Sequence, residues 1–474
     1  MYYVKTYWLA VLFTVLFAAE SRAGEGLKQF IETPCLSTAG IGVLVKEIHS
    51  GEVVMDHRSA KALIPGSTMK LVTTAAALEM LGSDFRFETP LEYSGAIDAA
   101  GTLNGNVYIM ASGDPTIGSE VFDDHRFIDR WVDAVKRAGI KRINGSVIAN
   151  VSRYDGEATP PDWTWQNMGN YFAAGVYGLS LFDNMYRLTF RTGSPGSTPA
   201  ITGTTPAMPE LVFHNFLKAG AEGSDADDGY LHGAPFSNER TITGVIPPFK
   251  NAFTIKGDMP NPPLKLAGYF TAKLDSAGIS VAGTPLVETA GFTHHVTVFT
   301  HKSPPLIDII NNTNHVSNNL FAEHLFKRLA LTHDSVATRE GAIEAIRNFW
   351  QQQQLDVSEL FMMDGCGLSP VDAVSPKFLV QLLSYMRTKS ANSTLFFTSL
   401  PTSGGDGTLK TFLNKTSLAG KVHAKSGSIR RVLCYAGYVE SGKKEYVFAI
   451  MVNNFKGSYS DVKKAIEKLL LHLR

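Results

Sequence analysis

Residues Pro65–Lys70 read PGSTMK, and the chain runs on as LVTTAAALEMLG to Gly82. A Pro-Gly turn leads into a serine, and a lysine follows three positions later. The small and apolar residues after it have helical composition, closed by a glycine. Ser67 has two readings. One is a helix N-cap, a common role for serine at such a position. The other is a nucleophile with its base one turn away, since positions i and i+3 share a helix face. A serine hydroxyl needs an adjacent base to attack at neutral pH. Lysine serves as that base only if burial or a second cation lowers its pKa. A nucleophilic Ser67 therefore calls for burial of Lys70 or for a second cation near it.

The Ser-x-x-Lys spacing recurs at Ser441/Lys444 and Ser460/Lys463, so by itself it decides nothing. Ser441 lies in a polar turn between strand candidates, and Ser460 opens the last helix, where a cap is the default. Ser67 is distinguished by its downstream partners and their order. About 250 residues on, Ser317-Asn318-Asn319 opens a helix and sets a hydroxyl and an amide two positions apart, suited to proton relay and substrate binding. Some 110 residues later, Lys425 to Ser428 (KSGS) begins a strand candidate. Lys425 can supply the second charge and Ser426 can bind a carboxylate. Gly427 lets substrate approach the backbone closely.

The 474 residues suffice for two or three domains with cores of their own. Lys+Arg and Asp+Glu balance at 44 each, which argues against a nucleic-acid partner and against a polybasic membrane patch. Lys5, the apolar run Tyr7–Ala19 and Ser21-Arg22-Ala23 read as an export signal over residues 1–23, cleaved after Ala23. The apolar run is too short to cross a bilayer core of about 30 Å. The alternative is an uncleaved N-terminal anchor. The protein is expected to be exported to the periplasm or cell envelope, with peripheral membrane contact left open. Cys35, Cys366 and Cys434 are an odd number without CxxC or zinc spacing, so no disulfide framework is read.

Three textures succeed one another. GIGVLVKEIHSGEVVMDH, from Gly40, reads as two strands around a turn, followed by the Met69-containing helix. Residues from about 85 to 290 are rich in Gly, Pro, Ser and Thr, with short strand candidates such as NGNVYIMAS and INGSVIANV. Helical periodicity returns after about 300 in VSNNLFAEHLFKRLALTH, GAIEAIRNFWQQQQ and PKFLVQLLSYMRTK. A strand set and an amphipathic helix close the chain. The economical reading is an α/β domain split in sequence by a β-rich insertion of one or two domains.

With Ser67/Lys70, Ser317/Asn319 and Lys425-Ser426-Gly427 in this order, the chain resembles the active-site serine penicillin-binding proteins, whose signature is SxxK, SxN and K[ST]G. The long first gap resembles the class C low-molecular-mass subgroup, the D-alanyl-D-alanine carboxypeptidase/endopeptidases, which carry two inserted domains. Ser112 to Gly118 (SGDPTIG), MMDGCGLSP and Leu400 to Leu409 (LPTSGGDGTL) resemble further family stretches, with Cys366 standing where the family has serine. That cysteine reads as a packing substitution. The resemblance implies a transpeptidase-like catalytic domain, an antiparallel sheet flanked by helices, over 24–84 and 291–474. It places one inserted domain over 85–104 and 176–290 and another over 105–175.

The same resemblance assigns roles. Ser67 would form an acyl-enzyme with the D-Ala-D-Ala carbonyl, Lys70 would be its base and Ser317 would relay the proton. Asn319 would hold the acyl-side amide, while Lys425 and Ser426 would hold the terminal carboxylate. The backbone N–H groups of Ser67 and Ser428 would form the oxyanion hole. The implied partners are peptidoglycan stem peptides, with β-lactams as covalent inhibitors, and no metal or cofactor is implied. Carboxypeptidase and endopeptidase activities use the same residues. The competing readings are a β-lactamase, which needs fast deacylation, and an inactive peptidoglycan-binding module.

Other signals are discounted. In FTHHVTVFTH, strand alternation puts His295 and His301 on one face and His294 on the other, too far apart to share an ion, and no acidic cluster accompanies them in sequence. The glycine-rich stretches lack GxxxxGK, and EGSDADDGY lacks the calcium-loop register. His423 reads as a strand-surface residue.

Overall fold

The computed structural model describes residues 22–122, 124–291 and 295–473. The apolar run of the expected export signal lies outside them. Among the described residues no helix is long and apolar enough to cross a membrane. The chain forms two compact units: residues up to Ser83 with Ile307–Asn318 and Ile346–Arg474, and Asp84–Leu306 with Asn319–Ala345.

The first unit is built on a five-stranded antiparallel sheet. Its order is Val53–His57, Gly40–Glu47, Lys444–Asn453, Val432–Ser441, Val422–Ile429. Gly40 pairs with Asn453 and Glu47 with Tyr446, so the two ends of the sequence close one sheet. The central strands, GIGVLVKE and KEYVFAIMVN, are almost continuously apolar because both of their faces are covered. On one face the helix over 22–31 and the helix Tyr459–Leu470 bury Phe30, Val462 and Ile466 against Val43, Val45, Phe448 and Ile450. The helix Pro376–Thr388 packs on the same strands. A Cβ on Gly42 would lie 2.8 Å from Pro376 Cγ. In Met69–Leu81 every residue from Met69 to Leu78 is buried, the polar Lys70, Thr73 and Thr74 among them.

The expected cap at Ser460 is displaced by two residues. Ser458 accepts from the Asp461 N–H, and Asp461 reciprocates in a capping box. Ser460 lies inside the helix.

The second unit has two hydrophobic cores. The first surrounds a mixed sheet ordered Leu286–Glu288, Val147–Asn150, Val107–Met110, Glu88–Tyr93, Val296–Lys302, packed by Trp131 and Phe270. The second, around Tyr186, Leu188, Phe190 and Ile242, lies between two smaller sheets. Glu88–Tyr93 pairs directly with Val107–Met110, so strands from the two segments expected to form separate inserted domains share one sheet. Two helices also interrupt the expected β texture, Phe127–Arg137 and Pro262–Ser276. The first buries Phe127, Ile128, Trp131, Val132 and Val135, one face of a 3.6-residue period.

Candidate active site

Ser67 lies in a single 3-10 turn, Gly66–Thr68, and the helix proper begins at Met69. No side chain caps that helix, so capping is not what holds Ser67. Its hydroxyl accepts a hydrogen bond of 3.0 Å from Lys70 Nζ. Lys70 is fully buried, and its Nζ also donates to the Cys366 carbonyl at 2.7 Å.

That carbonyl belongs to MMDGCGLSP. The buried Asp364 carboxylate gathers this loop by accepting from four backbone N–H groups: Cys366 (3.1 Å), Gly367 (2.6 Å), Leu368 (3.0 Å) and Ser369 (2.7 Å). Thr73, one turn beyond Lys70, donates to the Gly365 carbonyl at 2.7 Å. The bond at position 366 uses the backbone, which explains physically why cysteine can stand where serine was expected. Sequence reasoning missed this contact, because a carbonyl has no residue signature.

A second missed residue is Asn453, at the end of a central strand. Its amide accepts from Ile64 N–H at 2.8 Å and donates to Ile64 C=O at 3.0 Å. One side chain thus satisfies both backbone groups of the residue entering the Ser67 turn.

Glycines allow the turn to touch its neighbours. A Cβ on Gly427 would sit 2.2 Å from the Pro65 carbonyl oxygen and 2.9 Å from Ser67 N. One on Gly66, whose φ is +52°, would sit 2.9 Å from Ser428 N. The expectation for Gly427 was room for substrate. The close neighbour is instead the Ser67 turn, and the contact brings the backbones of Ser67 and Ser428 alongside each other.

Lys425 lies in the strand Val422–Ile429 and is fully buried. Its ammonium donates to Ser317 Oγ at 2.8 Å and to the Ser426 carbonyl at 2.9 Å. Burial, and secondarily the charge of Lys70, hold the Lys425 pKa well below the usual lysine value. Ser317 has φ +63°, a left-handed conformation uncommon outside glycine. Ser426 is half-buried and Ser428 exposed. Asn319, the first residue of Asn319–Ala330, belongs to the second unit, where its amide donates to the Phe172 carbonyl at 2.7 Å. The first unit therefore brings together Ser67, Lys70, Ser317 and Lys425 through their side chains, with Gly427 and Ser428 against the Ser67 turn.

His423 is not a plain surface residue. It is half-buried against the Phe397 ring at 4.2 Å, and burial lowers its pKa. His294 is outside the described residues. A bulge between Thr297 and Phe299 breaks the alternation expected from His295 to His301. The buried His301 also has acidic neighbours brought from afar: its Nε2 lies 3.9 Å from Asp114 and 3.9 Å from Asp124.

Residues 24–473 match the family described as D-Ala-D-Ala carboxypeptidase 3 (S13), and the chain belongs to this family of serine-type peptidases. A D-alanyl-D-alanine carboxypeptidase from an Actinomadura species is 27% identical over 446 residues, covering 91% of this chain and 81% of that protein. The fold matches the crystal structure of penicillin-binding protein 4 (dacB) from Haemophilus influenzae with a TM-score of 0.79 and 22% identity, covering 95% of this chain and 98% of that one. The structure of that protein complexed with a β-lactam matches at 0.76 and 21%, covering 94% and 98%. The α/β transpeptidase-like fold expected from the sequence is the one observed.

Proposed function

We propose that the protein is an exported D-Ala-D-Ala carboxypeptidase, with endopeptidase action through the same residues, and that the first unit is its catalytic domain. The observation that carries this reading is the 3.0 Å bond from a fully buried Lys70 to Ser67 Oγ. Lys70 in its neutral form takes the hydroxyl proton as Ser67 Oγ bonds to the carbonyl carbon of the penultimate D-alanine. Charge on the carbonyl oxygen is received by the backbone N–H groups of Ser67 and Ser428, donors worth about 3–4 kcal/mol each in related chemistry.

Ser317 accepts from Lys425, which leaves its own O–H free to turn toward the leaving nitrogen. The C–N bond breaks as the proton passes from Lys70 through Ser317 to the departing D-alanine. Water then attacks the ester, the product carboxylate leaves, and Ser67 regains its proton. Lys425 and Ser426 hold the terminal carboxylate of the stem peptide, a charge-assisted contact. A β-lactam enters by the same acylation step and acts as a covalent inhibitor.

The test is hydrolysis of a pentapeptide ending in D-Ala-D-Ala. Release of one D-alanine per peptide, lost in Ser67→Ala, supports the reading. Release that persists in Ser67→Ala overturns it.

A further inference from the structure

The second unit contains a cavity of about 710 Å³ in which no residue assigned above takes part. Its size lies within the range of small-ligand sites. Rings of Phe182, Phe236 and Tyr269 line it, as do the Lys265–Glu210 ion pair (2.9 Å) and the Asn238 amide.

Two features suggest that the cavity is a built site. Phe182 and Phe236 both adopt left-handed backbone conformations, φ +52° and +62°. Bulky residues rarely tolerate these, and such strain clusters at ligand sites. Phe182 is held there by its neighbours, since Asn184 accepts from Leu181 N–H at 3.0 Å and donates to the Gly175 carbonyl at 3.0 Å. Phe236 stays more than half exposed. The second feature is Gly268, in the interior of the helix Pro262–Ser276 and on the cavity wall. Glycine is unfavourable in a helix interior, and packing does not require it here: a Cβ would meet only Pro285, at 3.9 Å. The missing side chain leaves the wall open.

We infer that this cavity binds the N-acetylated amino-sugar backbone of the glycan strand. The inference rests on the peptidase reading, in which every stem peptide is tethered to such a strand. A pyranose ring offers a C–H face to aromatic rings, whose faces are electron-rich, and a belt of hydroxyl and acetamido groups at its edge. The cavity offers the matching pair, three aromatic rings together with an ion pair and an amide. An apolar peptide would leave the Lys265–Glu210 pair and Asn238 without new partners.

The test uses the full chain and the tetramer of N-acetylglucosamine, with binding followed by calorimetry. Saturable binding is expected, abolished in Gly268→Leu, whose side chain would fill the cavity, and weakened about tenfold in Phe236→Ala. Both variants should keep the wild-type circular dichroism and penicillin labelling of Ser67. No saturable binding, or binding indifferent to Gly268→Leu, overturns the inference. So does saturation of the cavity by N-acetyl-Ala-Phe-Leu-amide in place of the sugar, which would point to a protein segment. Absence of sugar binding by the wild-type protein, with its labelling intact, rejects the cavity alone. Intact binding without labelling rejects the peptidase reading alone.

Discussion

Lys425 Nζ lies 2.8 Å from Ser317 Oγ, across 108 residues of sequence, with both residues in the first unit. The contact ties the lysine of the KSG stretch to the serine expected to relay the proton. It also gives Lys425 opposite effects on activity and stability. A base whose pKa is depressed on folding binds fewer protons in the folded chain. Its contribution to stability therefore rises with pH between the folded value and the ordinary value near 10.5.

Lys425→Met should slow β-lactam acylation by about 10²–10⁴-fold. It should leave the fold no less stable at neutral pH, or more stable by about 1–3 kcal/mol, because a buried ammonium is removed. That advantage shrinks as pH rises toward 10.5. Stopped-flow acylation and denaturant unfolding at several pH values check both halves. A variant less stable than wild type at pH 7 contradicts the account.

Gly427→Ala places a methyl group 2.2 Å from the Pro65 carbonyl oxygen, where only backbone can yield. The expected result is a loss of about 1–3 kcal/mol in stability and an acylation rate lower by up to about 10²-fold, as for other small misplacements of reacting groups. Wild-type acylation would mean that the Ser67 turn does not depend on this contact.

Cys366 and its neighbour Asp364 should respond differently to substitution. Since Lys70 uses the carbonyl of residue 366, Cys366→Ser should keep acylation within about threefold, with a stability change of about 1–2 kcal/mol for a buried hydroxyl. Asp364→Asn replaces one acceptor oxygen by a donor facing the N–H groups of the loop, and should cost about 2–3 kcal/mol and slow acylation as the loop shifts. Labelling of a thiol in the folded protein by penicillin at position 366 would contradict this division.

Burial pushes the Asp114 carboxyl up to about 7, the largest cause of its shift. A carboxyl whose folded pKa lies above its unfolded value binds an extra proton in the folded state, so it lowers stability as pH rises from about 3.8 to about 7. Asp114→Asn should therefore match wild type near pH 3.5 and exceed it increasingly up to pH 7, by up to about 4 kcal/mol, then stay level. Chemical unfolding across that range measures it, and a constant difference at all pH values would remove the titration of Asp114 from the account.

Much of the fold was legible because its signals are local. GIGVLVKE and PKFLVQLLSYMRTK carry strand and helix patterns in their own residues, and the order Ser67, Ser317, Lys425 survives in the primary structure. What escaped is contact of backbone groups with segments far away in sequence. The Cys366 carbonyl on Lys70, the Asn453 clamp on Ile64 and the touch of Gly427 on Pro65 join segments hundreds of residues apart, and two of the three use atoms common to every residue. The helix FIDRWVDAVKR was readable from its period, and Pro262–Ser276 from Asn261 and the prolines that open it. Both were hidden by the glycine- and proline-rich composition around them. His301 shows the reverse error: its local run suggested no acidic neighbours, and folding supplied Asp114 and Asp124.

The most direct test of the central claim is to incubate the protein with a fluorescent penicillin, locate the label by mass spectrometry and follow its lifetime. The predicted result is a long-lived adduct on Ser67 that is absent from Ser67→Ala. Rapid turnover of the penicillin would contradict it in favour of a β-lactamase, and no label in folded protein would contradict the acyl-enzyme mechanism itself.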